Sequence, residues 1–305
     1  MTALLFPGQG SQRPNLMGEL ARTSLGADLL LRASAALARD VLAEAATAGE
    51  QRGDLLQLAF YLCGVASAHA LERAHVGIDA LAGHSVGAFA AAVAADALAF
   101  EDGVRLVALR GETMTAAFPN GFGMAAIAGL DEVDVARVVA RSAGDDALFV
   151  TNVNAPDNIS ISGTSAAIER ALLAAAGAGA RSVRRLDVSI PSHSPLLNQT
   201  RDVLARALSV VDVRPPSRIL VGGIDGRVLR DARAVREDLS GGVVAPVRWA
   251  DATRVLYERG VRLFVEAPPG DVLTRLASAA FPSARAVALD DCSVSSVAAL
   301  AGAKP

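Results

Sequence analysis

One short stretch constrains the fold of this chain more than any other feature: Ile78-Asp79-Ala80-Leu81-Ala82-Gly83-His84-Ser85-Val86-Gly87-Ala88-Phe89. It has the pattern of an apolar strand that turns sharply at Ser85 and continues as an alanine-rich helix over residues 88–95. Gly83 and Gly87 lack a Cβ atom, which permits the close approach of strand and helix that such a turn needs. The pattern predicts a nucleophile elbow.

A nucleophile elbow points to acyl-transfer chemistry with Ser85 as the nucleophile. A serine hydroxyl is a weak nucleophile, so acyl-transfer enzymes place it where a base can reach it and N–H groups can hold the oxyanion. The helix after Ser85 would direct its free N–H groups at the hydroxyl, which makes the Val86 N–H a candidate oxyanion donor. An ordinary glycine-flanked turn is the alternative, and the strand and helix on either side favour the elbow.

A glycine-rich loop follows the first predicted strand, Ala3–Phe6. Its sequence is Pro7-Gly8-Gln9-Gly10-Ser11-Gln12. A glutamine between two glycines can bring its backbone N–H close to a ligand without steric conflict. Gln9 is therefore a candidate second oxyanion donor, and a flexible turn is the alternative.

The helix predicted over residues 100–114 contains two arginines on different faces. Arg110 follows the apolar face of the helix and is expected to point inward, whereas Arg105 is expected to point outward. An inward guanidinium stays charged and has to find an anion. That anion is either a structural carboxylate, Glu112 or Glu101, or the carboxylate of a substrate held by two hydrogen bonds.

His193 is the candidate general base. It lies in the loop Ser189-Ile190-Pro191-Ser192-His193-Ser194-Pro195, where a proline on each side stiffens the chain. A rigidly held histidine can serve as the base for a distant serine. A structural loop histidine is the alternative, and the elbow elsewhere in the chain favours catalysis.

Alternating strands and helices predict an α/β fold. Residues 123–188 differ, because their order is β-α-β-β-α-β, the pattern of a ferredoxin-like unit. We therefore predict a large α/β-hydrolase-like domain with a mainly parallel sheet, over residues 1–122 and 189–305. An inserted ferredoxin-like α+β subdomain is predicted over residues 123–188.

Composition and charge limit the classes of partner, metal and cofactor that we expect for this chain. The 305 residues carry a net charge of −3 from interspersed charges, which argues against a nucleic-acid partner. No uninterrupted apolar run is long enough to span a membrane, and the N-terminus has no signal-peptide pattern, so we expect no membrane partner and a cytoplasmic location. Cys63 and Cys292 are far apart and have no metal-binding spacing, so we expect neither a metal nor a cofactor.

The chain resembles the malonyl-CoA:acyl carrier protein acyltransferase family over essentially its whole length. Six motifs carry the resemblance: Phe6-Pro7-Gly8-Gln9-Gly10-Ser11-Gln12, Gly83-His84-Ser85-Val86-Gly87, Leu109-Arg110-Gly111, Pro191-Ser192-His193, Ala245-Pro246-Val247-Arg248-Trp249 and Pro269-Gly270-Asp271-Val272-Leu273. They occur in the family's order, which makes chance agreement improbable.

The resemblance implies a role for each matching residue. Ser85 resembles the nucleophile that takes the malonyl group as an ester, and His193 the base of a Ser–His dyad. Arg110 resembles the clamp on the free malonyl carboxylate, and Gln9 and Val86 the oxyanion donors. Family members orient the histidine by a main-chain carbonyl, and Gly242 falls near that position, where many relatives have glutamine.

The elbow departs from the form usual in fatty-acid synthesis, Gly-His-Ser-Leu-Gly-Glu. Together with Val265-Glu266-Ala267-Pro268-Pro269-Gly270, the departure resembles the epsilon subunit of malonate decarboxylase, which charges that complex's own carrier protein from malonyl-CoA. We therefore expect malonyl-CoA and an acyl carrier protein as partners. The carrier protein expected is the one that belongs to malonate decarboxylase. The alternatives are a malonyl-CoA:acyl carrier protein transacylase of fatty-acid synthesis, a serine thioester hydrolase and an inactive scaffold subunit.

Overall fold

The computed structural model describes residues 1–48, 52–118 and 120–302. The strands in these residues are β1 (Thr2–Phe6), β2 (Ala80–Gly83), β3 (Phe122–Ala128), β4 (Leu148–Ala155), β5 (Asn158–Thr164), β6 (Ser182–Arg185), β7 (Ile219–Val221), β8 (Val228–Leu229), β9 (Leu263–Glu266) and β10 (Arg285–Ala288).

Helices cover most of the remaining described residues. They are α1 (Leu16–Leu20), α2 (Ser24–Leu37), α3 (Val41–Ala48), α4 (Gly53–Arg73), α5 (Gly87–Ala94), α6 (Phe100–Ala117), α7 (Glu132–Ala143), α8 (Ser165–Gly177), α9 (Asn198–Ser209), α10 (Ala232–Gly241), α11 (Trp249–Glu258), α12 (Val272–Ala280) and α13 (Val294–Ala301), with a 3-10 helix at Pro195–Leu197.

Six strands form the larger sheet, in the order β10-β9-β1-β2-β7-β8. Its first five strands are parallel, and only β8 runs antiparallel to its neighbour. All residues of β1 are buried, because helices cover both faces of the sheet. Leu4 and Phe6 belong to the core cluster that contains α4 and α5, whereas Ala3 and Leu5 belong to the cluster that contains α11 and α12.

The smaller sheet has the order β4-β5-β3-β6 and is antiparallel. With α7 and α8 packed on one face, its element order and strand order are those of a ferredoxin-like unit. The predicted α/β fold with an inserted ferredoxin-like subdomain is therefore confirmed. The subdomain limits at residues 123 and 188 stay a prediction; the observed elements run from Phe122 to Arg185.

Direct contacts join the smaller sheet to the larger unit. The Val247 N–H donates to the Thr151 carbonyl over 2.8 Å, and the Val153 N–H donates to the Val247 carbonyl over 2.9 Å. These bonds place the middle of β4 beside Val247, which lines the same cavity as Gly83 at the carboxyl end of β2. Ligands of parallel sheets bind at that edge, so the site lies between the two units.

The helix α4 is long and apolar enough to cross a membrane, but 89% of its apolar window is buried inside the protein. It packs against α5 and α6, as a core helix does. The cytoplasmic location stays a prediction.

Candidate active site

Ser85 lies in the turn between β2 and α5, at the carboxyl end of a central strand. Its φ angle is 56°, a left-handed conformation that is strained for a residue with a Cβ atom. A Cβ atom on Gly83 would lie 2.2 Å from the Ala88 nitrogen, and one on Gly87 would lie 2.2 Å from the Phe6 oxygen. Only glycine at these two positions permits the observed crossing of strand and helix.

His193 meets Ser85 from the loop between β6 and the 3-10 helix. Its Nε2 is 2.9 Å from Ser85 Oγ, and its Nδ1 is 2.6 Å from the Gly242 carbonyl oxygen. A carbonyl only accepts hydrogen bonds, so Nδ1 carries the proton, and Nε2 is left to accept from the serine hydroxyl. The structure thus brings together Ser85, His193 and Gly242, three residues that are far apart in the sequence.

The loop that carries His193 is held by short hydrogen bonds. The Ser194 hydroxyl donates to the Pro191 carbonyl over 2.7 Å, and the Ser162 hydroxyl donates to the Ser192 carbonyl over 3.1 Å. Ser162 belongs to β5, so the smaller sheet supports the loop. These bonds, with the prolines, hold His193 at a φ angle of 60°.

Burial is the main cause of a low pKa at His193. The side chain is 3% exposed, and burial together with the charge of Arg110 lowers its pKa to about 3, although the hydrogen bond to the Gly242 carbonyl raises it. His193 is therefore neutral at physiological pH. A neutral imidazole with a bare Nε2 is the form that can accept a proton from Ser85.

Arg110 points into the protein from α6, as predicted, and is 2% exposed. Its Nη2 donates to Ser85 Oγ over 3.1 Å, and its Nη1 donates to Gln57 Oε1 over 2.5 Å. Burial lowers its pKa to about 10, so the guanidinium is charged at neutral pH. Arg105 points outward to Asp102, 3.0 Å away.

Neither structural carboxylate considered for Arg110 reaches it. Glu101 pairs with Arg32 over 2.7 Å, and Glu112 is 3.5 Å from Arg39. Among the described residues, no carboxylate forms an ion pair with Arg110. A buried guanidinium with only neutral partners is suited to bind an anionic ligand.

Gln57 is a site residue that sequence reasoning missed. It is fully buried in α4 and orients Arg110 through the bond described above. The signal for it was present, because Gln57 is the polar residue in the apolar run Leu55–Leu62. A buried amide in such a run needs a partner, and the partner is Arg110, the candidate anion-binding residue.

Val86 directly follows Ser85, and Gln9 follows Gly8 in the loop that lies against the elbow. The Gly8 backbone contacts the elbow closely, since a Cβ atom on Gly8 would lie 2.7 Å from the His84 oxygen and 3.1 Å from Ser85 Cβ. Among the described residues, no acceptor binds the backbone N–H of Gln9 or Val86. Both are free to donate, and their assignment as oxyanion donors stays a prediction.

His84 directly follows β2, and its side chain contacts the smaller sheet. Its Nε2 is 3.1 Å from Asn154 Oδ1, and its ring meets the Trp249 ring edge-on with centroids 5.4 Å apart. Burial lowers its pKa. His84 thus connects the elbow to β4 of the smaller sheet.

Two cavities open at the carboxyl edge of the larger sheet. Ser85, His193, Arg110 and Asp238 are among the residues that line the first. Gln9, His84 and Asn154 are among those that line the second, between the two units. Gln9 therefore faces the second cavity, next to the elbow. The part of the chain that the structure describes has no cluster of three side chains suited to a metal ion.

Residues 3–302 match the family described as "Acyl transferase domain". The chain is 35% identical over 295 residues to the malonyl CoA-acyl carrier protein transacylase of Salmonella typhimurium, covering 95% of this chain and 96% of that protein. It is 33% identical over 302 residues to the enzyme of that name from Escherichia coli K12, covering 97% of this chain and 98% of that protein.

Two solved structures superpose on nearly the whole length of this chain. The malonyl CoA-acyl carrier protein transacylase of Coxiella burnetii superposes with a TM-score of 0.91 at 30% identity, covering 99% of this chain and 97% of that chain. A malonyl-transacylase in complex with its type II polyketide-synthase acyl-carrier protein gives a TM-score of 0.90 at 31% identity, covering 99% of each chain.

Proposed function

The chain belongs to the acyl transferase domain family, and from that premise we propose that it transfers a malonyl group from malonyl-CoA to the thiol of an acyl carrier protein. The chain is an acyltransferase. The observation that carries the malonyl proposal is the contact of Arg110 with Ser85 Oγ at 3.1 Å, with no carboxylate paired to Arg110 in the described residues. A substrate carboxylate would complete that ion pair beside the nucleophile.

In the first half-reaction, His193 Nε2 takes the proton of the Ser85 hydroxyl as Oγ attacks the thioester carbonyl. The oxyanion that forms would be held by the N–H groups of Gln9 and Val86. When the carbon–sulfur bond breaks, the proton on His193 passes to the leaving thiolate. CoA leaves, and the malonyl group stays as an ester on Ser85.

The second half-reaction runs the same steps in reverse with a different thiol. His193 takes the proton of the carrier thiol, whose sulfur attacks the seryl ester. The bond to Ser85 Oγ breaks, and His193 returns the proton to Oγ. The Gly242 carbonyl would keep the imidazole in the tautomer that both steps need.

Arg110 would select malonyl over acetyl donors in two ways. Its ion pair with the malonyl carboxylate supplies binding energy, and an acetyl group would leave the guanidinium buried and unpaired. The charge of Arg110 also lowers the pKa of His193. A bound carboxylate offsets that charge, so His193 becomes a stronger base when the correct donor is present.

The named relatives favour the fatty-acid-type alternative over malonate decarboxylase. Both curated relatives described above are named malonyl CoA-acyl carrier protein transacylases, and one structural neighbour is a complex of such an enzyme with an acyl-carrier protein. We therefore propose an ordinary acyl carrier protein as the acceptor. The features that favour the decarboxylase carrier are the elbow sequence, with Val86 and Ala88, and the run from Val265 to Gly270.

The deciding experiment is a transfer assay read by intact mass. The protein is loaded with malonyl-CoA and offered a fatty-acid-type carrier or a malonate-decarboxylase-type carrier in separate reactions. We expect a malonyl adduct on the protein and transfer to the first carrier. Preference for the second carrier would instead establish the decarboxylase role.

Two further outcomes decide against transfer. Release of free malonate without an acceptor, faster than transfer to either carrier, would identify a thioester hydrolase. Absence of any adduct would identify an inactive scaffold. A Ser85→Ala control distinguishes an adduct on Ser85 from one elsewhere.

A further inference from the structure

The cavity that holds Ser85, His193 and Arg110 contains one more ionisable side chain, which the proposed reaction does not use. Asp238, near the end of α10, lines this cavity and is 7% exposed. Among the described residues, no basic side chain forms an ion pair with it. A buried carboxylate without a cation is costly and needs a structural reason.

The partners of the Asp238 carboxylate are backbone N–H groups of the loop after β7. Its Oδ1 accepts from the Ile224 N–H over 3.2 Å, and the Gly223 N–H also stabilises the charged form. A Cβ atom on Gly222 would lie 2.6 Å from Oδ1, so the carboxylate fits because position 222 has no side chain. Asp238 therefore fastens α10 to the carboxyl end of β7.

The main chain of Asp238 continues this connection to the catalytic pair. The Gly242 N–H donates to the Asp238 carbonyl over 2.9 Å, and the Gly242 carbonyl accepts from His193 Nδ1 at 2.6 Å. We propose that Asp238 is a positioning residue, whose ionised carboxylate holds the last turn of α10 so that the Gly242 carbonyl orients His193 toward Ser85. This inference rests on the proposed use of Ser85 and His193 in acyl transfer.

The ionised form is required because the loop offers N–H donors to the carboxylate. Protonation puts a hydrogen on one oxygen and weakens the other as an acceptor, which loosens the loop contact. Burial and the charge of Asp225 raise the pKa of Asp238 to about 6. His193 and Arg110 line the same cavity as Asp238; α5 carries no titratable side chain, and no charged residue of α9 lines this cavity.

The pH dependence separates Asp238 from His193. The pKa of His193 is about 3 in the free protein, and a bound malonyl carboxylate raises it by offsetting the charge of Arg110. Protonation of Asp238 is therefore identified by a loss of activity between pH 7 and 5 that Asp238→Asn lacks. Above pH 6 the Asp238 carboxylate is ionised and holds the loop after β7. Acidification protonates the carboxylate and weakens that contact.

The test measures single-turnover acylation of Ser85 by malonyl-CoA from pH 5 to 8.5. The variants are Asp238→Asn, Gly222→Ala, which disturbs the same contact from the other side, and the control Glu237→Gln on the exposed face of α10. We expect the first two to lower the rate at pH 7.5 by about tenfold, the effect of losing one charge-assisted hydrogen bond. Asp238→Asn should also lack the inflection near pH 6, and the ratio of malonyl to acetyl loading should stay unchanged.

The inference is overturned if Asp238→Asn keeps the wild-type rate and inflection, or if Glu237→Gln loses as much activity. It is also overturned if selectivity for malonyl falls in step with the rate, because Asp238 would then act through Arg110. Melting curves at pH 8 show whether each variant is folded. If Asp238→Asn does not fold, the acylation rate of Gly222→Ala decides the test.

The same series with p-nitrophenyl acetate separates this inference from the proposed function. That ester acylates a reactive serine without CoA or a carboxylate. If the wild type reacts with the ester but not with malonyl-CoA, the proposed function fails. The effect of Asp238→Asn on the ester reaction then still decides the positioning role.

Discussion

Ser85 and His193 meet at 2.9 Å between Oγ and Nε2, and both residues have left-handed backbones, with φ angles of 56° and 60°. Each such conformation costs about 1–2 kcal/mol for a residue with a Cβ atom. Strain of this kind persists only where the surrounding structure imposes it. Here the glycine-flanked elbow imposes one angle, and the hydrogen-bonded loop between two prolines imposes the other, so that the two side chains face each other.

Replacing Ser85 distinguishes its role as the nucleophile from the free-energy cost of its left-handed backbone. Ser85→Ala should abolish the malonyl adduct while leaving the fold intact. Ser85→Gly should also abolish the adduct and should raise the free energy of unfolding above that of Ser85→Ala by about 1 kcal/mol, because glycine adopts a positive φ without penalty. Intact mass and urea unfolding measure the two effects, and a covalent malonyl adduct on either variant would disprove the nucleophile assignment.

Arg110→Ala should lower malonyl loading while sparing or raising acetyl loading. The expected loss with malonyl-CoA is on the order of a hundredfold, the effect of losing about 3 kcal/mol of charge-assisted hydrogen bonding. Initial rates of adduct formation with the two donors measure it. Arg105→Ala is the matched control, because Arg105 lies on the exposed face of α6; equal losses with malonyl and acetyl donors in Arg110→Ala would rule out the selectivity role.

Gln57 offers a second test of the same pocket. Gln57→Leu removes the 2.5 Å bond to Arg110 Nη1 and should reduce the preference for malonyl by about tenfold. Gln57→Glu should reduce it further, because an internal carboxylate beside Arg110 competes with the malonyl carboxylate. The ratio of malonyl to acetyl loading is the measurement, and an unchanged ratio in both variants would show that Gln57 does not orient Arg110.

Glu266 should make the protein less stable as the pH rises. It is fully buried at the end of β9, and burial raises its pKa to about 7 although the N–H groups of Leu273 and Thr274 donate to it. The folded state therefore binds a proton more tightly than the unfolded state, so this stabilising contribution is present below about pH 4.5 and is lost as the pH rises through 7.

The difference between wild type and Glu266→Gln isolates this contribution. The variant cannot ionise, so its free energy of unfolding relative to wild type should rise by about 3 kcal/mol between pH 4.5 and 8.5. Denaturant unfolding at both values measures the change. Parallel pH curves for the two proteins would contradict the raised pKa.

Much of the fold could be predicted from local pattern. The predicted strand Ala3–Phe6, the strand and helix on either side of Ser85, the helix over residues 100–114 and the β-α-β-β-α-β order of residues 123–188 correspond to observed elements, with ends shifted by a few residues. The last strand of the ferredoxin-like unit ends at Arg185, short of the predicted subdomain limit at residue 188. Among the described residues, the elements that sequence reasoning did not predict are α9, β8, β10, α13 and the 3-10 helix before α9; β8 and β10 are too short to show an alternating pattern.

The sequence by itself determined the chemistry of the site. A serine between two glycines at a strand-to-helix turn, a histidine between two prolines and an arginine on the apolar face of a helix are local patterns, and each predicts its own conformation. The family motifs supplied the substrate class. Local reasoning reached Ser85, His193 and Arg110 because backbone sterics and helical periodicity act over only a few residues.

Only the tertiary structure decided the partners of these residues. In the described residues, Arg110 binds Gln57 and no carboxylate, His193 donates to the Gly242 carbonyl, and Asp238 accepts from the Ile224 N–H, and each contact depends on which elements pack together. Such contacts join positions more than a dozen residues apart, and the burial that sets their pKa values exists only after the core has formed. The physical reason is that hydrogen bonding and desolvation depend on distance in space, which local sequence pattern does not specify.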